Sequence, residues 1–390
     1  MKNKSLYYNF LTLLVMAAFI IFTYVMMRSL GLEEESGSVG GIIYFFMSAV
    51  TILTMFTSGF RFQGHFVILW FFWIIWMFLY FFLGLGGGGS AGIFRVWFCP
   101  MSFLFFYMVS SKTDSVEKIS IVGFIVLYVL AYYLTFYELF NFQSVQFGKD
   151  VGRTNLVFWC LCSLPFILLI EKNWAQVVTL LLTVFIVILT AKRSAIIAIG
   201  LILLLYVSSK MRGRNKTRNI IFIIIAGVGL YFVVTHYIMD TFLGVMERMS
   251  EMQEDKGSGR LIGYNDAFSV MENNTLIEWF IGRGFGTITL SGHTNAHNDA
   301  LQLLFEYGFI GLVYYILLIF YSWKRVRLLH KLKSPYYFAY ITSFIIFIVL
   351  GMVSNLVVFF LYFAFICAFW GVVEARIQNN PYVRLSKLSI

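Results

Sequence analysis

Long apolar runs separated by short polar breaks dominate this chain. Twelve runs can be drawn, at 6–27, 39–57, 66–84, 92–109, 119–138, 155–171, 174–190, 194–209, 219–238, 301–321, 336–352 and 355–373. Crossing a hydrocarbon core of roughly 30 Å takes about 20 apolar residues, and each run approaches that length. The last two are parted only by Gly351, Ser354 and Asn355, and 336–373 accommodates two short helices better than one. The pattern predicts an all-α integral membrane protein of about 12 transmembrane helices, built as a single polytopic domain over 1–390. Lys2 and Lys4 precede the first run, and no small-residue cleavage site follows it, so it reads as a retained span.

One segment breaks the rhythm. Residues 237–300 are largely hydrophilic, and a connection that long is usually functional. Helical periodicity recurs at 241–252 and 261–271, and Asn273 and Asn274 end the second helix. Trp279 and Phe280 are suited to anchor the segment at a membrane interface. The segment then runs directly into an apolar helix that starts near Asn298, with Leu301, Leu304 and Phe305 at helical spacing. Gly308 and Gly311 read as positions where a neighbouring helix approaches closely. The glycine-rich stretch 84–92 reads as an external turn with no assigned function.

Composition supports the membrane reading: 60% of residues are hydrophobic and 12% charged, against roughly 25% charged in soluble domains. A net charge of +10 would suggest nucleic acid in a soluble protein. In a membrane protein it reflects cytoplasmic loops rich in Lys and Arg, so a nucleic-acid partner is not expected. With the N-terminus placed inside, the cytoplasmic segments hold Lys2, Lys4, Arg61, Lys112, Lys118, Lys172, five residues of 210–218, five of 324–333, Arg376, Arg384 and Lys387, which is 19 of the 29 Lys and Arg. Both termini are then cytoplasmic and 237–300 is extracytoplasmic. The four cysteines fall in apolar runs and indicate neither a disulfide framework nor a zinc site.

Candidate chemistry collects at the outer face. Lys192 and Arg193 sit in a very short link, where they either snorkel into water or pair with an anion. Arginine matches phosphate oxygens with a two-pronged fork, and Arg260 and Arg283 lie in the long loop, with Arg153 a weaker candidate. The Gly282–Gly286 glycines follow no strand and read as a chain turn rather than a dinucleotide site. His293 and His297 are four apart, but no third ligand is evident, so no metal is expected. A histidine at the mouth of a membrane helix suits a general base, because its ordinary pKa is near 6.5. Neighbouring arginines and the positive helix end favour its neutral form. Arg95, Glu138 and Glu306 are further ionisable residues at the membrane edge, and a carboxylate as deep as Glu306 is expected to pair, with an arginine as the favoured partner.

These residues carry a resemblance. The stretch HNDALQLLFEYGFIG, from His297 to Gly311, resembles the H-N-x-x-L-x-x-x-x-E-x-G-x-x-G signature of the O-antigen polymerase and O-antigen ligase superfamily (Wzy and WaaL types). LTAKRSAIIAIG is similar to that family's T-x-S-R-x-A segment, with Lys192 in place of a small residue. SGRLIGYNDAF is similar to its G-x-R-x-x-x-[WY]-x-x-A segment. The resemblance implies a metal-independent membrane glycosyltransferase without a cofactor, acting at the outer face of the bacterial cytoplasmic membrane. Its donor would be an oligosaccharide on undecaprenyl diphosphate, and its acceptor another lipid-linked repeat unit (polymerase) or lipid A–core (ligase). A chain-length regulator and a flippase are implied partners beside the bilayer itself. By position, His297 would be the base and Arg193 and Arg260 would bind the diphosphate, with Arg283 a further diphosphate candidate. His293, Lys192, Asn298 and Glu306 would support the site. The polymerase reading is favoured over the ligase. A transporter of lipid-linked sugar or polysaccharide is the reading from another class, and it would need charges or broken helices within the membrane.

Overall fold

The computed structural model describes residues 2–28, 33–59, 63–85, 89–141, 155–190, 192–210, 260–285, 287, 297–354, 356–357 and 361–379. Their regular structure is helical: α1 Lys2–Arg28, α2 Glu33–Ser58, α3 His65–Phe82, α4 Gly89–Ser110, α5 Ser115–Asn141, α6 Val157–Ile167, α7 Asn173–Thr190, α8 Arg193–Lys210, α9 Arg260–Met271, α10 Leu276–Ile281, α11 Asp299–Lys331, α12 Tyr337–Val353 and α13 Phe363–Asn379. Seven of the described helices are long and apolar enough to cross a membrane, namely α1 to α5, α7 and α11. The chain is a multi-pass membrane protein. The expected span at 219–238 and the helix at 241–252 lie outside the described residues.

Two spans differ from the apolar pattern. The sixth run contains a helix of only 11 residues, α6, with every residue buried and Pro165 inside it. At a 1.5 Å rise that helix is about 16 Å long, too short to cross alone. Hydropathy cannot separate a buried core helix from a lipid-facing one. Single turns continue the chain to Ile170, and the Gln176 side-chain amide donates to the carbonyls of Leu168 (3.1 Å) and Ile170 (2.9 Å). The last helix begins at Phe363 rather than near 355. The preceding turn is fixed by a partner distant in sequence, described below.

α13 is the centre of the bundle. Nearly all of it is buried, and it packs most extensively on α4. Gly371 makes that approach close: a Cβ there would lie 2.3 Å from the Phe103 carbonyl oxygen. Small residues at such crossings let backbones meet in a membrane, where apolar burial alone gives no net attraction between helices. Around the crossing, Trp70 stacks on Phe103 (5.1 Å between ring centroids), and Trp73 stacks on Tyr314 of α11 (3.9 Å). Hydroxyls buried in the helices satisfy themselves locally: Thr12, Thr23, Thr54, Ser102 and Thr135 each donate to the carbonyl four residues earlier. With no water in a bilayer core, this removes an otherwise costly unpaired donor.

The bundle has two distinct polar ends. At one, Arg325 grips the buried Glu374 with two hydrogen bonds (2.6 and 2.7 Å). There Arg376 also pairs with Glu117 (2.7 Å) and with Asp114, and Tyr336 donates to Glu117 (2.9 Å). At the other end, Arg28 pairs with Glu138 (3.4 Å) and lies over the Tyr137 ring. Lys192, Arg193 and Arg283 belong to this second end. Lys112, Lys118, Lys331 and Lys333 belong to the first, as does Lys210 at the close of α8. The division of these basic residues agrees with the alternation drawn from hydropathy. A cavity of about 360 Å³ lined by Gln63, Tyr107, Lys112 and Gln378 opens at the first end, away from the candidate chemistry.

Candidate functional site

Asn298 caps α11. Its backbone is extended, and its Oδ1 accepts the Leu301 N–H (3.1 Å), filling one of the donors that a helix start leaves open. Its Nδ2 donates to the Met352 carbonyl (3.4 Å). His297 directly precedes the cap, exposed, at φ +49. Histidine is among the few non-glycine residues enriched in that left-handed region. His293 lies outside the described residues.

Asp299, the first helical residue, is fully buried. Its Oδ2 accepts the backbone N–H groups of Leu356 (3.1 Å) and Val357 (2.9 Å). Those donors lie among the described residues between α12 and α13. In the same turn Ser354 donates to Ser194 (2.8 Å), the neighbour of Arg193. One turn therefore joins the head of α8 to the head of α11. Lys192 sits over the Phe158 ring of α6 (5.7 Å to the centroid).

α11 is not one straight helix. Gly308 has φ 62 and ψ −156, which breaks the helix into 299–307 and 309–331. Gly308 admits a neighbouring helix, as expected, at the end of α10: a Cβ on it would lie 2.5 Å from the Phe280 carbonyl and 2.6 Å from the Gly282 nitrogen just beyond. Gly311 likewise faces its own chain across the kink, at Leu303 and Tyr307. Carbonyls freed by the break are refilled: Arg283 N–H donates to Phe305 O and Gly284 N–H to Glu306 O, each at 3.1 Å, and the Tyr80 hydroxyl also donates to Glu306 O (2.5 Å). A transporter would use a broken helix to present open carbonyls to an ion. Here these carbonyls are occupied by the protein itself.

The loop that makes this clasp is held by its own chemistry. Thr275 and Glu278 form a reciprocal capping box at the start of α10. Hydrogen bonds from Thr275 hold the Glu278 carboxyl below the usual carboxylate range. The Arg283 guanidinium donates from Nε to Asn274 Oδ1 (2.5 Å) and from Nη2 to the Val270 carbonyl (3.0 Å), tying the end of α9 to the clasp. Those bonds engage two of its five N–H donors, one with α9 and one with Asn274 just beyond it. Arg260 opens α9 at its far end, a helix length of about 16 Å away. α9 packs on the short half of α11 through Ala267, Met271 and Phe305. Trp279 stacks on Phe309 (5.9 Å), while Phe280 remains exposed.

Glu306 is buried, and its Oε1 accepts from Gln302 (2.7 Å), an amide one turn earlier. Among the described residues no three His, Cys, Asp or Glu side chains converge as metal ligands would. Asp299, Ser194, Ser354 and Tyr80 are the site-building residues that sequence did not single out. An acid in a first helical turn ordinarily reads as a complement to the helix dipole, so only the adjacency of Asp299 to the His297–Asn298 pair could have flagged it.

The short half of α11 is thus fastened at both ends, by Asp299 and Asn298 at its head and by the glycine clasp at its foot. An exposed histidine, His297, immediately precedes its cap, and one turn links its head to the helix that begins with Arg193. Residues 178–316 match the family model described as O-Antigen ligase (Wzy_C). That segment runs from within α7 through the kink of α11, and so contains Arg193, Arg260, Arg283, His297 and Glu306. No curated protein matches the chain.

Proposed function

We propose that this chain, whose residues 178–316 match the family model described as O-Antigen ligase across its candidate site, polymerises oligosaccharide repeat units carried on undecaprenyl diphosphate. The supporting observation is an exposed histidine on a doubly fastened half-helix, joined through one turn to the helix headed by Arg193.

The reaction follows from these groups. The acceptor hydroxyl gives its proton to His297 as its oxygen attacks the anomeric carbon of the donor sugar. The bond from that carbon to the diphosphate breaks, the configuration inverts, and undecaprenyl diphosphate leaves. General base catalysis of this kind contributes typically 10²–10⁴ in rate. Arg193 and Arg260 stabilise the charge that develops on the leaving diphosphate, with fixed donors that need no metal. Arg283 is a further diphosphate ligand, and two of its donors also seat the end of α9. The site faces the outside of the cytoplasmic membrane, with both termini and the 324–333 segment inside, and 237–300 forms the extracytoplasmic loop of a single polytopic domain.

The name of the matched family, O-antigen ligase, favours a second reading, transfer of the finished glycan to lipid A–core. Purified protein in lipid vesicles separates the two. Given only lipid-linked repeat units, a polymerase makes a ladder of longer lipid-linked chains. A product that appears only after lipid A–core is added would replace this proposal with the ligase reading. In the same assay Arg193→Lys and Arg260→Lys, which keep charge but lose the fork, are each expected to slow turnover at least about tenfold. Wild-type rates in both would remove these arginines from the diphosphate site.

Sidedness has its own test. All four native cysteines are buried, so an introduced cysteine can be read against a low background. Leu276→Cys, at a residue 75% exposed on α10, should react with an impermeant thiol reagent in intact cells, and Lys333→Cys only after lysis. The reverse order would place the site on the wrong side.

A further inference from the structure

Asp299 takes no part in the chemistry above, yet its surroundings are built around it. It is fully buried, and its carboxylate accepts two backbone N–H groups from a turn more than fifty residues away. Backbone donors that are buried need partners, and the chain between α12 and α13 takes these from Asp299. The seat is tight: a Cβ on Gly351 would lie 2.8 Å from the same Oδ2. Two other bonds use the same turn, from Asn298 to Met352 O (3.4 Å) and from Ser354 to Ser194 (2.8 Å). On one side the turn grips the residues next to His297, and on the other the residue next to Arg193.

We propose that Asp299 is a positioning residue, which acts through the 351–357 turn to fix the spacing between the proton acceptor His297 and the diphosphate-binding Arg193. The inference rests on the reading of His297 as base and Arg193 as phosphate ligand. Two charge-assisted N–H bonds to one carboxylate oxygen make a short, stiff link. Without them the heads of α8 and α11 are no longer held to a common turn. Each helix keeps its own residue, so the donor still binds, but the reacting groups lose register. A misplacement of 1 Å can cost about 10²-fold in rate.

The test uses the full chain in lipid vesicles with lipid-linked repeat units at varied concentration, reading kcat and KM separately. Asp299→Ala is expected to lower kcat about 10²-fold, with the donor KM changed less than about twofold. Asp299→Asn keeps a carbonyl oxygen for both N–H groups and should recover kcat to about a tenth of wild type or better. In a His297→Ala background, adding Asp299→Ala should leave the residual rate unchanged, because residues acting as a unit are not additive. Additive losses, or an asparagine variant as slow as alanine, would make Asp299 a general structural residue and overturn the proposal. If Asp299→Ala does not accumulate in membranes, Ser354→Ala carries the test: kcat should fall about tenfold with KM unchanged, and an unchanged kcat overturns the proposal. Normal turnover by His297→Ala would instead sink the base assignment. An inactive His297→Ala beside a wild-type Asp299→Ala would sink the positioning role alone.

Discussion

Replacing His297 with alanine is expected to lower turnover of lipid-linked repeat units by about 10²–10⁴-fold, the usual contribution of a positioned base. Protein level in the membrane should not change. His297 is exposed and precedes the helix, so its side chain supports little packing. Its backbone is at φ +49, where any residue with a side chain is strained, and alanine therefore confounds two effects. His297→Asn separates them. Asparagine tolerates the left-handed region about as well as histidine, but it cannot accept the proton, so it should be as inactive as alanine. His293→Ala should reduce activity only modestly. Polymer ladders and initial rates measure this. Near-normal turnover by His297→Asn, or a larger loss at His293 than at His297, would move the base elsewhere.

Gly282→Ala is expected to destabilise the protein more than other single methyl additions, by roughly 3–5 kcal/mol. The new Cβ would fall 2.2 Å from the Glu306 carbonyl oxygen and 2.4 Å from the Tyr307 nitrogen, and both are backbone atoms. Neither can yield easily, because the Glu306 carbonyl is already bonded to Gly284 N–H and to the Tyr80 hydroxyl. The conformation adds to the cost, since Gly282 has φ +80. Gly41→Ala is the control: it lies within α2 with nothing inside 4 Å of an added Cβ, and helix propensity alone makes alanine favourable there by up to about 1 kcal/mol. Thermal midpoints of the detergent-solubilised proteins compare the two. Equal midpoints would mean that the loop does not press on the kink as described.

The apolar runs made most of the helices legible, because in a membrane protein run length is itself the architectural signal. α1, α3, α5, α7 and α8 begin and end within a few residues of the expected spans. Asn298 at a helix start and the Asn273–Asn274 stop were readable for a local reason: capping is settled within a few residues of the chain. What sequence did not show depends on partners far away. Hydropathy runs through Gly308 without a mark, and a glycine that admits a helix looks the same as one that breaks a helix. The contacts of Arg283 with Asn274 and the Val270 carbonyl are ones that only the fold brings about. Asp299 looked like an ordinary first-turn acid, since its partners, Leu356 and Val357, are invisible in any window around it.

The break in α11 has a consequence for how the protein is made. In the hydrocarbon region an unsatisfied carbonyl costs several kcal/mol. The donors that satisfy Phe305 and Glu306 come from Arg283, Gly284 and Tyr80, none of which is part of α11. A newly inserted α11 that has not met them is better off as one unbroken helix, with Gly308 an ordinary helical residue. The bend then depends on assembly contacts with the glycine loop and α3, and loss of the Tyr80 hydroxyl would favour the straight helix.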